Sequence, residues 1–271
     1  MEEYIKLDQL LHQLCQVHAL ITSNLVKEQE DYSHTNLGFD ALGRRILSRW
    51  ISTNHQKVCL SLNLEKFTFE WLSDSFDLIK EIEIVGKYFG QLQNEVQSSL
   101  TEIGFVEKEL TVGLKYEIQD YPFKGNSIDH PETESLDEWI RIRSLANFAC
   151  NLFLKFLNSD AEVRIWPHHF DTGFYLEIAN KLGVGFGLAM KDNLIGSPYF
   201  YLSGYPLSGD LQMKNLPSLE NGHWEKGNWK GAVLTLRQFY FREQDKQDII
   251  HRFLKSAFAW HRKNYISKTS E

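Results

Sequence analysis

The sequence is poor in cysteine, in positive charge and in long apolar runs, and each shortage closes off a class of protein. Cys15, Cys59 and Cys150 are the only cysteines in 271 residues. They are odd in number, far apart and set among apolar neighbours, which excludes a disulfide framework and points to reduced core thiols of a cytoplasmic protein. Lys and Arg number 29 against 36 Asp and Glu, a formal net charge of −7. That balance opposes non-specific binding to polyanions, and no dense Lys/Arg run offsets it. No stretch is long and apolar enough to span a membrane. The opening MEEYIKLDQLL is acidic and then amphipathic, unlike the basic and apolar regions of a signal peptide. Familiar catalytic signatures are missing as well. There is no phosphate-binding G-x-x-x-x-G-K-[ST] loop, no H-E-x-x-H zinc helix, no G-x-S-x-G elbow and no C-x-x-C pair.

What is present is ordinary globular composition with dense aromatics: 42% apolar, 24% charged, with 7 Trp, 11 Tyr and 18 Phe. The length suits one large domain or two small ones. Leu7, Leu10, Leu11, Leu14, Val17, Leu20, Ile21 and Leu25 recur at helical spacing, predicting an amphipathic helix over 7–27. Alternation predicts strands at 57–64 (KVCLSLNL) and at 66–72 (KFTFEWL), the latter with Phe67, Phe69 and Trp71 on one face. Residues 81–86 read as a third strand. Gly86 leads into a helix bearing Phe89, Leu92, Val96, Leu100 and Ile103, and 110–118 (LTVGLKYEI) again reads as extended.

Residues 119–134, with Pro122, Gly125, Asn126 and Pro131, are the best candidate linker. Ser135 and Glu138 have capping-box spacing and predict a helix running to about Leu157. Strands are expected at 161–167, 173–178, 183–190, 199–204 and 231–239, with a polar loop over 205–228 and a closing helix at about 244–263. Strands mostly follow strands, so the fold class is α+β, with antiparallel sheets packed against helices. The element order divides into two related helix–meander–helix halves, 1–118 and 135–271, around the 119–134 linker.

Four features could carry chemistry. The run Gly183-Val-Gly185-Phe-Gly187 is followed by no helix pattern to face a pyrophosphate, so it reads as a strand that admits a close neighbour or a bulge. In Val163-Arg-Ile-Trp-Pro-His-His-Phe-Asp171, strand alternation would place His169 and Asp171 together on the face of Val163, Ile165 and Pro167. His168 and Trp166 would lie opposite. Such a pair suits a metal ligand set or a base held by a carboxylate, or else a buried hydrogen bond closing a strand. Further polar clusters are Asp31 to Thr35 with His34, Asp129-His130, and Gly222-His223-Trp224-Glu225. Tyr199, Phe200, Tyr201 and Tyr205, with Trp224 and Trp229, offer flat faces with polar tips for a planar ligand or a sugar, or for core packing. Nucleic acid would want Lys and Arg among these rings, and Lys is nearly absent between 192 and 213.

These segments resemble a family of bacterial proteins of unknown function. The likeness runs nearly end to end through Ser33-His34-Thr35-Asn36-Leu37, Leu114-Lys115-Tyr116-Glu117-Ile118, Val163 to Asp171, Pro198-Tyr199-Phe200-Tyr201, Gly222-His223-Trp224 and Trp229 to Leu234. The resemblance implies a single integrated chain in a bacterial, cytoplasmic setting and brings no activity. Members of that family often carry a second histidine after the His-Trp pair, where this chain has Glu225.

Three functions follow as expectations. The first is binding of a small polar or aromatic molecule, with Trp166, Tyr199, Tyr201 and Trp224 as pocket walls and His34, His169 and Asp171 as orienting groups. The second is a metal-dependent hydrolase with His34, His169, Asp171 and His223 holding zinc or another divalent ion and Glu225 as base. The third is an assembly protein whose exposed aromatics form a homodimer face. None of the three uses nucleic acid or a membrane as partner.

Overall fold

The computed structural model describes residues 1–53, 55–105 and 110–266. The chain divides into two compact units. The first comprises Glu2–Arg141 and Arg164–Phe170, and the second Ile142–Val163 and Asp171 onward, with Met1.

In the first unit, α1 (Glu2–Leu25) opens with Glu2 and Glu3 in its first turn, where negative charge favours the exposed N–H groups. Its buried positions Leu7, Leu11, Leu14, His18 and Ile21 form one stripe. That stripe packs on an antiparallel sheet of β1 (Gly38–Asp40), β2 (Arg45–Leu47), β3 (Ile51–Ser52), β4 (Lys57–Asn63), β5 (Thr68–Ser73) and β6 (Leu78–Glu83). The order is β1-β2-β4-β5-β6, with β3 also paired to β4. Phe69 of β5 meets His18 of α1 edge-on at 5.3 Å. Trp71 donates its indole N–H to Ser99 Oγ of α2 (Phe89–Glu102) at 2.8 Å. The strand expected from residue 66 starts two residues later, at Thr68: Phe67 has φ +57° and precedes it. Glu70 is buried, and its carboxylate accepts from Arg45 at 3.0 and 3.1 Å and from Asn63 at 2.9 Å. Those donors offset the cost of burying a charge.

Several expectations are corrected here. Residues 110–118 form no strand; instead the side-chain amide of Asn24 pairs with the backbone of Val112 at 2.8 and 2.9 Å. The 119–134 segment belongs to the first unit and buries Tyr121 and Ile128. Helix α3 (Thr133–Phe156) starts two residues before Ser135, so the predicted capping box lies inside it. The units divide within this helix, between Arg141 and Ile142.

The second unit begins with the rest of α3. Its strands are β8 (Asp171–Ile178), β9 (Leu182–Ala189), β10 (Tyr199–Pro206), β11 (His223–Lys226) and β12 (Lys230–Thr235). The short β7 (Arg164–Trp166) lies in the returning segment of the first unit. The second unit's strands run antiparallel in the order β11-β12-β10-β9-β8. Short α4 (Leu236–Phe239) and α5 (Lys246–His261) follow, and α5 passes into a π-helical turn, Arg262–Ile266. Asp245 caps α5 by accepting the N–H groups of Gln247 and Asp248. The expected loop over 205–228 thus contains the edge strand β11. The inner sheet face packs on α3 and α5 through a phenylalanine herringbone. Phe153 meets Phe186 at 5.5 Å and Phe258 at 5.2 Å, and Phe186 stacks on Phe200 at 5.9 Å. The α+β class with antiparallel sheets against helices is therefore the observed architecture. Among the described residues, no helix is long and apolar enough to cross a membrane.

Candidate functional site

The outer face of the second unit's sheet follows from the strand register. Paired residues share a face. Tyr175 stands opposite Gly185, which stands opposite Ser203; Glu177 stands opposite Gly183, which stands opposite Tyr205. One step along, Gly173 pairs with Gly187, which pairs with Tyr201. At Gly183 and Gly231 a neighbouring ring occupies the space that a side chain would fill. A Cβ on Gly183 would run into the Tyr175 phenol, and one on Gly231 would run into the Trp229 indole. A Cβ on Gly185 would sit 3.4 Å from the Tyr205 ring. The result is a paved aromatic surface. Tyr175 and Tyr205 are 45% and 43% exposed, with ring centroids 6.0 Å apart.

Toward one end the paving is anchored by carboxylates. Tyr201 donates to Asp171 Oδ2 at 2.5 Å, and Tyr199 donates to Asp192 Oδ2 at 2.7 Å. Asp192 also accepts the N–H groups of Leu194 and Ile195, which fixes the loop beside Tyr199. Burial, reinforced by the neighbouring carboxylates, pushes the Tyr199 and Tyr201 phenols well above their usual range. Tyr175 is raised too, by burial and then by Glu177 and Tyr205. These phenols are neutral donors at ordinary pH. His223 and Glu225 fall on the same face, opposite Val233 and Gly231, with His223 Nε2 2.9 Å from Glu225 Oε1. The face thus carries Asp171, Glu177 and Glu225.

The expected pocket is only partly assembled. Asp171, Tyr199 and Tyr201 come together as described. Trp224 does not join them: it pairs with buried Ala232, packs on Trp260 at 5.4 Å and donates to the Pro217 carbonyl, on the opposite face. Strand alternation alone separates it from its neighbours His223 and Glu225. Trp166 and His169 belong to the first unit. The predicted shared face of Val163 to Asp171 is not formed, because β7 ends at Trp166 and residues 167–170 turn, with Phe170 at φ +52°. In that turn His168 and His169 lie side by side, 4.3 Å between rings, rather than on opposite faces. Burial, then the adjacent His169, lowers the His168 pKa to about 4.

The turn is held by residues that no sequence pattern singles out. His12 of α1 stacks on Phe170 at 5.3 Å, and its Nε2 lies 2.9 Å from the Pro167 carbonyl. A carbonyl can only accept, so Nε2 carries the proton and Nδ1 accepts from the Tyr121 hydroxyl at 2.6 Å. His12 sits on an apolar helical stripe, and no local pattern distinguishes it from core.

His34 lies in a 3-10 turn, Ser33–Thr35, where its Nδ1 accepts the Gln29 N–H at 3.2 Å. Burial lowers its pKa. The cleft beside it is only about 30 Å³. Among the described residues, no three His, Cys, Asp or Glu side chains gather to hold a metal ion. The ligand set of His34, His169, Asp171 and His223 is therefore not assembled: His34 is turned onto its own loop, His223 onto Glu225, and Asp171 onto Tyr201. Compared with known proteins, the chain matches no family model, no curated protein and no solved structure.

Proposed function

We propose that this protein binds a small polar molecule with a flat apolar face, a saccharide in chemical class, on the outer face of the second unit's sheet. The observation that carries the reading is the pair Tyr175 and Tyr205, half exposed and 6.0 Å apart on a glycine floor. Rings seated on glycine are backed on one side, so part of their side-chain entropy is lost before binding. A pyranose ring offers C–H groups to such aromatic faces and hydroxyls to phenols and carboxylates. Glu177 stands in register beside the two tyrosines, on the same face as Tyr175 and across Gly183 from Tyr205. The reading departs from the expected pocket in being an open face rather than a cavity. A cytoplasmic setting is part of it, supported by three buried thiols joined by no disulfide. So is kinship with the bacterial family whose segments the chain resembles.

The test is saturation-transfer NMR with neutral hexasaccharides of glucose, mannose and N-acetylglucosamine. At least one should show saturable binding, weakened about tenfold by Tyr205→Ala, consistent with the loss of one aromatic stack. Failure of all three, or binding unaffected in a Tyr175→Ala/Tyr205→Ala variant, would remove the proposal. If wild type instead sediments as a dimer that this variant dissociates, the aromatic face is an assembly surface.

A further inference from the structure

A second site, independent of the first, lies between α3 and α5 in the second unit. Leu152, Phe153 and Phe156 of α3 and Leu254 and Phe258 of α5 line a groove of about 500 Å³. The three phenylalanines pack edge-on and stacked, at 5.2 to 6.2 Å. The groove is open: Phe156 is 65% exposed and Leu152 41%. Contiguous exposed apolar surface of this kind marks an interaction site more often than accident.

Its rim is cationic. Lys155, Lys255, Arg262 and Lys263 border it, and no Asp or Glu does. None of the four forms an ion pair among the described residues, whereas Arg252, one turn away on α5, is paired to both Glu220 and Asp248. On a chain of net charge −7, four unpaired cations around one apolar trough are a local reversal of sign. A pocket of this volume falls within the roughly 300–1,000 Å³ range of small-molecule sites. Its lining, the 11 residues in all, is well short of the roughly 20–30 residues a side of a standard protein interface.

We infer that this groove binds a single-chain anionic amphiphile, an alkyl carboxylate of the fatty-acid type. The chain would lie along the phenylalanines, and its head would meet the rim, where the Arg262 guanidinium can take a carboxylate bidentately and the lysines act as point charges. Removal of alkyl surface from water supplies the affinity and the rim supplies the selection by charge.

Calorimetric titration with laurate tests this, with dodecyltrimethylammonium as a probe of equal chain length and opposite charge. Laurate should saturate one site, and the cationic probe should bind at least about tenfold more weakly. Lys155→Glu/Lys263→Glu, both exposed positions, should weaken laurate about tenfold while leaving the thermal midpoint unchanged. Leu152→Glu/Phe156→Glu should abolish binding. Tyr205→Ala should leave laurate binding intact, which separates this site from the aromatic face. Equal affinity for the two probes, no saturable laurate binding, or indifference to the charge variant would overturn the inference. So would a wild-type dimer in sedimentation that dissociates in Leu152→Glu/Phe156→Glu, which would assign the groove to a second copy of the chain.

Discussion

Histidine shows how differently one residue type is used in this chain. The histidines that stand out in the sequence, His34, His168, His169 and His223, lie in polar or mixed segments where imidazole looks chemical. The structure does more with His12, His18 and His261, which ride on apolar helical faces. His261 is fully buried at the end of α5, its ring against Gly204, with neither nitrogen hydrogen-bonded among the described residues. Burial alone lowers its pKa to about 4. His18 falls to about 3, burial outweighing the upward pull of the Ile46 and Leu14 backbone. In the unfolded chain each titrates near 6.5, so below that pH the unfolded state binds protons that the folded state refuses. Their contribution is complete above pH 6.5 and is lost as the pH falls from there toward about 4 for His261 and about 3 for His18. Urea unfolding across pH 4–6.5 should show stability dropping with acid. His261→Leu should remove about one proton from that dependence, a slope change of about 1.4 kcal/mol per pH unit at its steepest. An unchanged slope in the variant would mean that His261 protonates freely in the folded protein.

At the scale of the element, the glycine strand β9 is the most readable feature and also the least complete one. Its alternation of Gly183, Gly185 and Gly187 announces that something approaches closely on one face, and periodicity places Val184, Phe186 and Leu188 inside. What approaches is not local information. Tyr175 reaches Gly183 from β8, while Tyr201 and Tyr205 reach Gly185 from β10. The strands that bring them are separated in sequence by loops with no signature of register. The same blindness hid β1, β2 and β3, which are two or three residues long and too short for alternation to register. It also set Trp224 with the wrong partners, because a cluster in sequence straddles both faces of a strand. The glycines differ in a testable way. A Cβ on Gly187 meets the backbone of Thr172 and Gly173, which cannot swing aside; one on Gly183 meets only a half-exposed tyrosine side chain. Gly187→Ala should therefore cost about 2 kcal/mol, within the range for overpacking. Gly183→Ala should cost under about 1 kcal/mol in chemical denaturation, with the Tyr175 ring displaced outward. Equal losses at the two positions would show that the paving is as rigid as the backbone beneath it.

At the scale of the molecule, class and element order were legible because amphipathic period is a local signal summed over ten or more residues. The division into units was not. A Pro- and Gly-rich stretch looks like a joint, yet 119–134 is built into the first unit, where Tyr121 hydrogen-bonds His12. The actual division falls inside α3, where helical periodicity continues unbroken and composition has nothing to mark. Nor does anything local announce that Arg164–Phe170 returns to the first unit, since that assignment rests on contacts made with a helix some 150 residues earlier. The first unit therefore depends on residues far outside 1–118. Trp139 donates to buried Asp8 at 2.8 Å and stacks on Phe170, and Phe170 in turn stacks on His12. A fragment ending at 118 would uncover the α1 face that these rings cover and leave Asp8 without its indole donor, a loss of buried apolar area and of a charge-assisted hydrogen bond together. Fragments 1–118 and 135–271, expressed separately, should each lack a cooperative urea transition and bind a hydrophobic dye, while the intact chain unfolds cooperatively. A cooperative transition in isolated 1–118 would mean that the sheet of the first unit, with α1 and α2, suffices for a core, and that Trp139 and the 164–170 turn only decorate it.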